Sequence, residues 1–185
     1  MKTNRYVQHT EKNLKVFSSE FARIILVTCA EIDTVCRLLC KEIDPSCNFS
    51  DDSIRSGDIK EYSKIILDKY PKLINTEIYS NTLQRIIKPW EGWISVPNYQ
   101  SPEWWKGYQL LKHYRHLHFE EATLEKALYS ASALFVILMY LHKTAYNFTA
   151  DEKNIDWPSC FISRSMQDIN GSSDYMDDVE QLPDF

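Results

Sequence analysis

Residues 18–45 read SSEFARIILVTCAEIDTVCRLLCKEIDP. Phe21, Ile24, Ile25, Thr28, Ile32, Val35, Cys36 and Leu39 recur at spacings of three and four, the period of a helix that turns one face to a core. Ser18 or Ser19 can cap its first turn, and Glu20 suits the positive end of the helix dipole. Asp44-Pro45 closes it, because the residue before proline avoids helical backbone. The stretch predicts a long amphipathic helix, and the rest of the chain repeats that style.

A polar loop over 48–57 leads to a shorter predicted helix from Asp58 to Tyr70, with Ile59, Tyr62, Ile65, Ile66 and Tyr70 on one face and Pro71 as the stop. Residues 73–100, with Pro89, Trp90, Gly92, Trp93 and Pro97, read as an irregular loop laying aromatics over the helices. Ser101-Pro102-Glu103 combines a capping hydroxyl, a proline suited to the first helical position and an acid in the first turn. A third helix is expected from there to about His118, and a fourth over about 122–146 whose apolar surface wraps almost all round. The expected fold is all-α: an antiparallel up-and-down bundle of about four main helices, with no strand pair.

Composition agrees. Only 4 of 185 residues are glycine, while 44% are hydrophobic and 25% charged, which argues against disordered, collagen-like and disulfide-stapled classes. Glycine poverty and the lack of Walker, GxGxxG or GxSxG motifs exclude the glycine-loop nucleotide folds and the α/β-hydrolases. No cofactor is expected. The net charge of −5 is uneven: residues 151–185 hold nine acids and two bases, net −7, which leaves 17 acids and 19 bases before them, net +2. The division expected is a helical domain over 1–148 and an irregular, partly disordered acidic tail over 149–185. Trp157, Phe161, Ile162 and Met166 are the tail residues able to dock, and 170–185 is expected to be mobile.

The first residues carry Lys2, Arg5, Glu11 and Lys12 without an apolar core, unlike a secretory signal, so a cytoplasmic setting is expected. The greasiest run, Ala127 to Leu141, is short of the roughly 20 residues that span a bilayer, so no membrane partner is expected. Cys29, Cys36 and Cys40 fall on one helical stripe without a CxxC pair, as small buried hydrophobes in a reducing compartment do. Trp90, Trp93, Trp104 and Trp105 read first as core residues at bundle corners, although tryptophans can also stack on bases.

One patch could carry chemistry. Lys112 to His118 reads Lys-His-Tyr-Arg-His-Leu-His, placing a lysine, an arginine and three of the five histidines in one short run. On a helix, Lys112, Arg115, His116 and Phe119 share a face, and Arg115 and His118 are i, i+3 neighbours able to address one phosphate. An imidazole can take the proton of a ribose 2′-OH or protonate the leaving oxygen, while the arginine fork steadies charge on the phosphoryl group. The plainer reading is a solvated basic helix end whose cations complement the dipole. Metal chemistry fits poorly: the histidine spacings match neither HExxH nor the Glu-x-x-His of di-iron bundles, and no metal is expected.

The order of landmarks resembles a known group. Glu20-Phe21 opens an apolar helix containing Glu31 and Asp33; Pro89-Trp90-x-x-Trp93 follows, then Trp104-Trp105-x-x-Tyr108, Lys112-His113-x-Arg115 and the apolar helix. Over about residues 18–145 this is similar to small bacterial proteins related to the HEPN superfamily. The resemblance implies an all-α bundle that forms a homodimer and brings an arginine and a histidine from each subunit into a shared cleft for metal-independent endoribonuclease activity. It implies a prokaryotic stress or phage-defence setting, with RNA and an antitoxin or other defence-system protein as partners. Arg115, His118 and His113 are the catalytic candidates it suggests, with Lys112 and His116 binding RNA phosphate. The family signature places a histidine after an arginine with four to six residues between them, the first of them polar. His116 satisfies the polar position, but 120–122 are Glu120, Glu121 and Ala122, and His118 comes early. Some relatives of this kind are non-catalytic, so a dimer or adaptor that binds a protein, RNA or nucleotide partner is the alternative.

Overall fold

A computed structural model describes residues 7–49, 57–81, 83–146 and 161–163. Helix α1, Ser19–Ile43, starts where the Ser18 hydroxyl accepts from the backbone N–H of Phe21 at 3.2 Å and ends where Asp44 turns extended ahead of Pro45. Every residue of its expected stripe is buried except Ile24, which is half-buried. Helix α2, Ile59–Lys69, is capped by Asp58, whose carboxylate accepts from Glu61 N–H at 2.8 Å, and buries Ile59, Tyr62 and Ile66.

Residues 73–100 differ from the expected irregular loop. Strands β1, Ile78–Ser80, and β2, Arg85–Ile87, form an antiparallel hairpin in which Ile78 faces Ile87. Strand β3, Phe161–Ser163, pairs antiparallel with the other edge of β1, giving the order β2-β1-β3. The expectation of no strand pair is therefore corrected. Three-residue strands are too short to display an alternating pattern, and β3 arrives from far along the chain. It is also part of the segment assigned to the tail; Trp157, Met166 and residues 170–185 lie outside the described residues.

The four tryptophans are buried as one chain of rings. Trp90 and Trp93 are 4.6 Å apart between centroids, Trp90 meets Trp104 edge-on at 5.4 Å, and Trp104 meets Trp105 edge-on at 5.7 Å. The indoles of Trp90 and Trp104 donate to the carbonyls of Ala133 and Pro89, so these two buried rings have their one polar atom satisfied, whereas the buried Trp93 Nε1 has no hydrogen-bond partner among the described residues.

Helix α3, Glu103–Tyr114, begins one residue later than the Ser-Pro-Glu motif suggests: Pro102 takes the cap position, and no side-chain oxygen caps the helix. It also ends before His118. The N–H groups of Leu117 and His118 both reach the Tyr114 carbonyl, and a 3-10 turn, Phe119–Glu121, redirects the chain. Helix α4, Leu124–Tyr146, starts at Thr123, whose hydroxyl accepts from Lys126 N–H at 3.2 Å. Its Ala127, Leu128, Ala133, Phe135, Val136, Ile137, Met139 and Tyr140 are buried, so it occupies the centre as its all-round apolar surface predicts. The stretch Leu124–Ala145 is long and apolar enough to cross a membrane by length and composition, and most of it is packed inside the fold.

Helices α1 and α4 form the largest helix pair, and their starts are stitched together. Phe17 and Thr123 form an antiparallel bridge, Ser18 N–H donates to the Ala122 carbonyl and Leu124 N–H to the Val16 carbonyl. Two helices that pack along each other from a shared starting end run in the same general direction. This departs from an up-and-down order, in which the first and fourth helices oppose each other. Among the described residues the architecture is thus mostly helical, four α-helices with a small three-stranded sheet.

Candidate functional site

The cationic run emerges where α3 gives out. Lys112 and His113 are in its last turn, Arg115 is its C-cap, His116 and Leu117 form the turn beyond, and His118 opens the 3-10 turn. Positive groups belong at this end, where unsatisfied carbonyls carry partial negative charge. Lys112, His113, Tyr114, Arg115, His116 and Leu117 are all exposed, and His118 is half-exposed.

The side chains divide into separate engagements. The Arg115 guanidinium sits over the Phe119 ring at 5.4 Å, and Phe119 in turn meets Phe17 edge-on at 5.9 Å. No ion pair joins Arg115 to an acid among the described residues, so its donor fork remains open to a phosphate. His118 instead has Nδ1 3.6 Å from Glu120 Oε1. Arg115 and His118 therefore address different partners within the chain rather than one phosphate between them. The His113 ring lies 6.3 Å from the Tyr114 ring, and the Lys112 ammonium lies 5.5 Å from the Tyr108 ring centre. The face expected from helical spacing survives in one contact, Arg115 to Phe119.

Two features of the surface were not apparent in the sequence. The first is apolar exposure around the cations: Tyr114 is 54% exposed, Leu117 64% and Phe17 51%. The second is a cleft of about 570 Å³ between α1, the start of α2 and α3. Asp33 lies in it, with Lys60 and Lys112 as its bases and Tyr99, Trp105 and Tyr108 as its aromatic lining. Tyr62 donates to Asp33 Oδ1 at 3.3 Å, and Arg37 reaches Oδ2 at 3.4 Å. Burial pushes the Asp33 carboxyl above its ordinary range, against the opposing pull of Arg37, Tyr62 and Lys112. These residues come from positions 33, 60 and 99–112, and no local motif links them. Of the run at the end of α3, only Lys112 reaches this cleft.

A smaller cleft of about 310 Å³ is lined by Lys15, Lys88, Glu91, Glu103, Trp104, Glu125 and Lys126. Within it Lys15 pairs with Glu125 at 2.5 Å, while Lys88, Glu103 and Lys126 pair with Glu77, Lys106 and Glu121 beside it. Among the described residues no three of His, Cys, Asp and Glu stand close enough to hold a metal ion.

Chemically, the end of α3 can bind a phosphodiester through Arg115 and Lys112 and offer imidazoles for proton transfer. Comparison of the chain with protein-family models, curated proteins and solved structures gives no match.

Proposed function

We propose that this is a HEPN-like RNA-binding protein that acts as a homodimer through the end of α3, and that it cleaves RNA without a metal ion. The supporting observation is Arg115: exposed, carried on the Phe119 ring, without a described acid partner and flanked by His113 and His116. Tyr114 and Leu117 add exposed apolar surface beside the cations, the combination expected where a second subunit docks next to a polar site. In this reading Arg115 binds the scissile phosphate from each subunit, His113 or His118 acts as acid or base, and Lys112 and His116 hold the flanking backbone. The setting proposed is a cytoplasmic prokaryotic stress or phage-defence system without membrane attachment, with an antitoxin or other defence protein as regulatory partner.

Purified protein is incubated with mixed RNA in EDTA. Cleavage by wild type that Arg115→Ala abolishes is expected; intact RNA, or equal cutting by both proteins, overturns the catalytic reading. A second reading, a non-catalytic dimer or adaptor, is favoured by the engagement of His118 with Glu120 and by the acids at 120 and 121. It is supported if RNA is retained by wild type, released by Arg115→Ala and left uncut.

A further inference from the structure

The cleft between α1, α2 and α3 shares only Lys112 with the activity proposed for the end of α3. Its two lysines sit on aromatic rings: Lys60 lies 5.9 Å from the centre of Tyr99 and Lys112 lies 5.5 Å from the centre of Tyr108. Neither is ion-paired to a described acid, and both are exposed. A lysine resting on an aromatic face is held in place while its N–H donors stay free.

Asp33 lines the same cleft. Its two oxygens each accept one hydrogen bond from inside the protein, from Tyr62 and Arg37, and a carboxylate has lone pairs left for a ligand. Asp58, the other acid of the cleft, is occupied in capping α2. Ser101 and Gln109 add neutral hydrogen-bonding groups, and Tyr99, Trp105 and Tyr108 supply apolar ring surface.

Cations at the rim ask for an anion, the rings ask for a planar or apolar body, and the inner carboxylate asks for an N–H or O–H donor. A volume of about 570 Å³ is several times what a bare phosphate fills and falls in the range of small-molecule sites. We infer that this cleft binds a nucleoside phosphate, with Lys60 and Lys112 on the phosphate, the aromatic rings against the base or sugar, and Asp33 accepting from a base N–H or a ribose hydroxyl. The phosphate is held by side chains, so no glycine-rich loop is needed. A free mononucleotide and one nucleotide of an RNA strand offer the same chemistry. The site stands whether or not the end of α3 cuts RNA.

Titration calorimetry on the full chain uses AMP, GMP, CMP and UMP, a short single-stranded RNA, and inorganic phosphate. At least one mononucleotide is expected to bind one to one, and Lys60→Ala is expected to weaken it about tenfold or more. Lys72→Ala, exposed and outside both the cleft and the end of α3, leaves that binding unchanged. Asp33→Asn shifts the preference among the four bases or lowers affinity for all. If only the RNA binds, and Lys60→Ala weakens it as much, the cleft holds a nucleotide within a strand. Three results overturn the inference: no ribonucleotide binding at millimolar concentration, binding that Lys60→Ala leaves intact, or phosphate binding as tightly as any nucleotide.

Discussion

The indole N–H of Trp90 donates to the backbone carbonyl of Ala133 at 3.1 Å, tying the loop before α3 to the middle of the central helix. Both residues are fully buried, and Trp90 also packs on Trp93 and Trp104. Trp90, Trp93 and Trp104 thus serve the core rather than a base-stacking surface.

Trp90→Phe keeps a ring in this place but removes the N–H, and should cost about 1–3 kcal/mol. Trp90→Ala leaves a cavity and should cost about 3–5 kcal/mol. Urea unfolding followed by circular dichroism reads both; a Trp90→Ala loss under about 1 kcal/mol would contradict the packing described.

Replacing Arg115 should barely touch stability. The side chain is exposed and its ring contact with Phe119 is worth about 0.5–1 kcal/mol at such a site. RNA retention, by contrast, should fall and lose part of its salt dependence, because each phosphate contact contributes to the salt slope. Filter binding across a salt series checks this, with the melting temperature as control. A large drop in melting temperature would mean that Arg115 has a structural role.

Glu120→His releases His118 from its acid neighbour and places a histidine five residues after Arg115. If the end of α3 has the geometry for cleavage, RNA cutting in EDTA should increase over wild type, by about tenfold or more given the usual worth of a general acid or base. Unchanged cutting would favour the adaptor reading.

The raised carboxyl of Asp33 means that folding favours its protonated form. That contribution is fully present below the unfolded-state value near pH ~4 and is lost as pH rises through the folded-state value. Asp33→Asn removes the titration, so its stability relative to wild type should climb from about pH 4 to about pH 7. Denaturant midpoints at both pH values test it; a constant or falling difference would rule the raised carboxyl out.

Two glycines separate backbone strain from crowding. Gly57 has φ +71°, and a Cβ there would meet Phe49 Cε1 at 2.7 Å and Tyr62 Cε1 at 2.8 Å; Gly92 has φ +80° and open space around it. Each alanine substitution should cost about 1–2 kcal/mol for the left-handed backbone, with Gly57→Ala losing more because the Phe49–Tyr62 ring pair must shift. Equal losses would show that the rings give way freely.

Much of the fold is legible in the sequence because helices are local. Ser18 caps α1 as its position suggests, Asp44-Pro45 and Pro71 stop what they should, and a period near 3.6 identifies the buried face of α1, while the Ser101 hydroxyl does not cap α3. The buried Cys29, Cys36 and Cys40 are equally readable: they sit on the core stripe, and burial pushes their thiols up. The concentration of cations at Lys112–His118 was likewise visible as residue types, and a helix end that prefers positive charge explains their place.

What the sequence could not supply is everything that depends on distant segments meeting. The sheet needs β3 beside β1, some eighty positions apart in the chain, and three-residue strands carry no periodic signal of their own. The shared start of α1 and α4 comes from hydrogen bonds between residues 14–18 and 122–125, and α3 ends at Tyr114, ahead of the turn that leads there. That turn sends Arg115 to Phe119 and His118 to Glu120. The cleft around Asp33 is assembled in the same way, from three helices whose contributing residues share no motif. Local periodicity determined which residues are helical and which faces are buried; tertiary packing alone decided which charges meet, because proximity across a fold is set by how elements dock and not by their order in the chain.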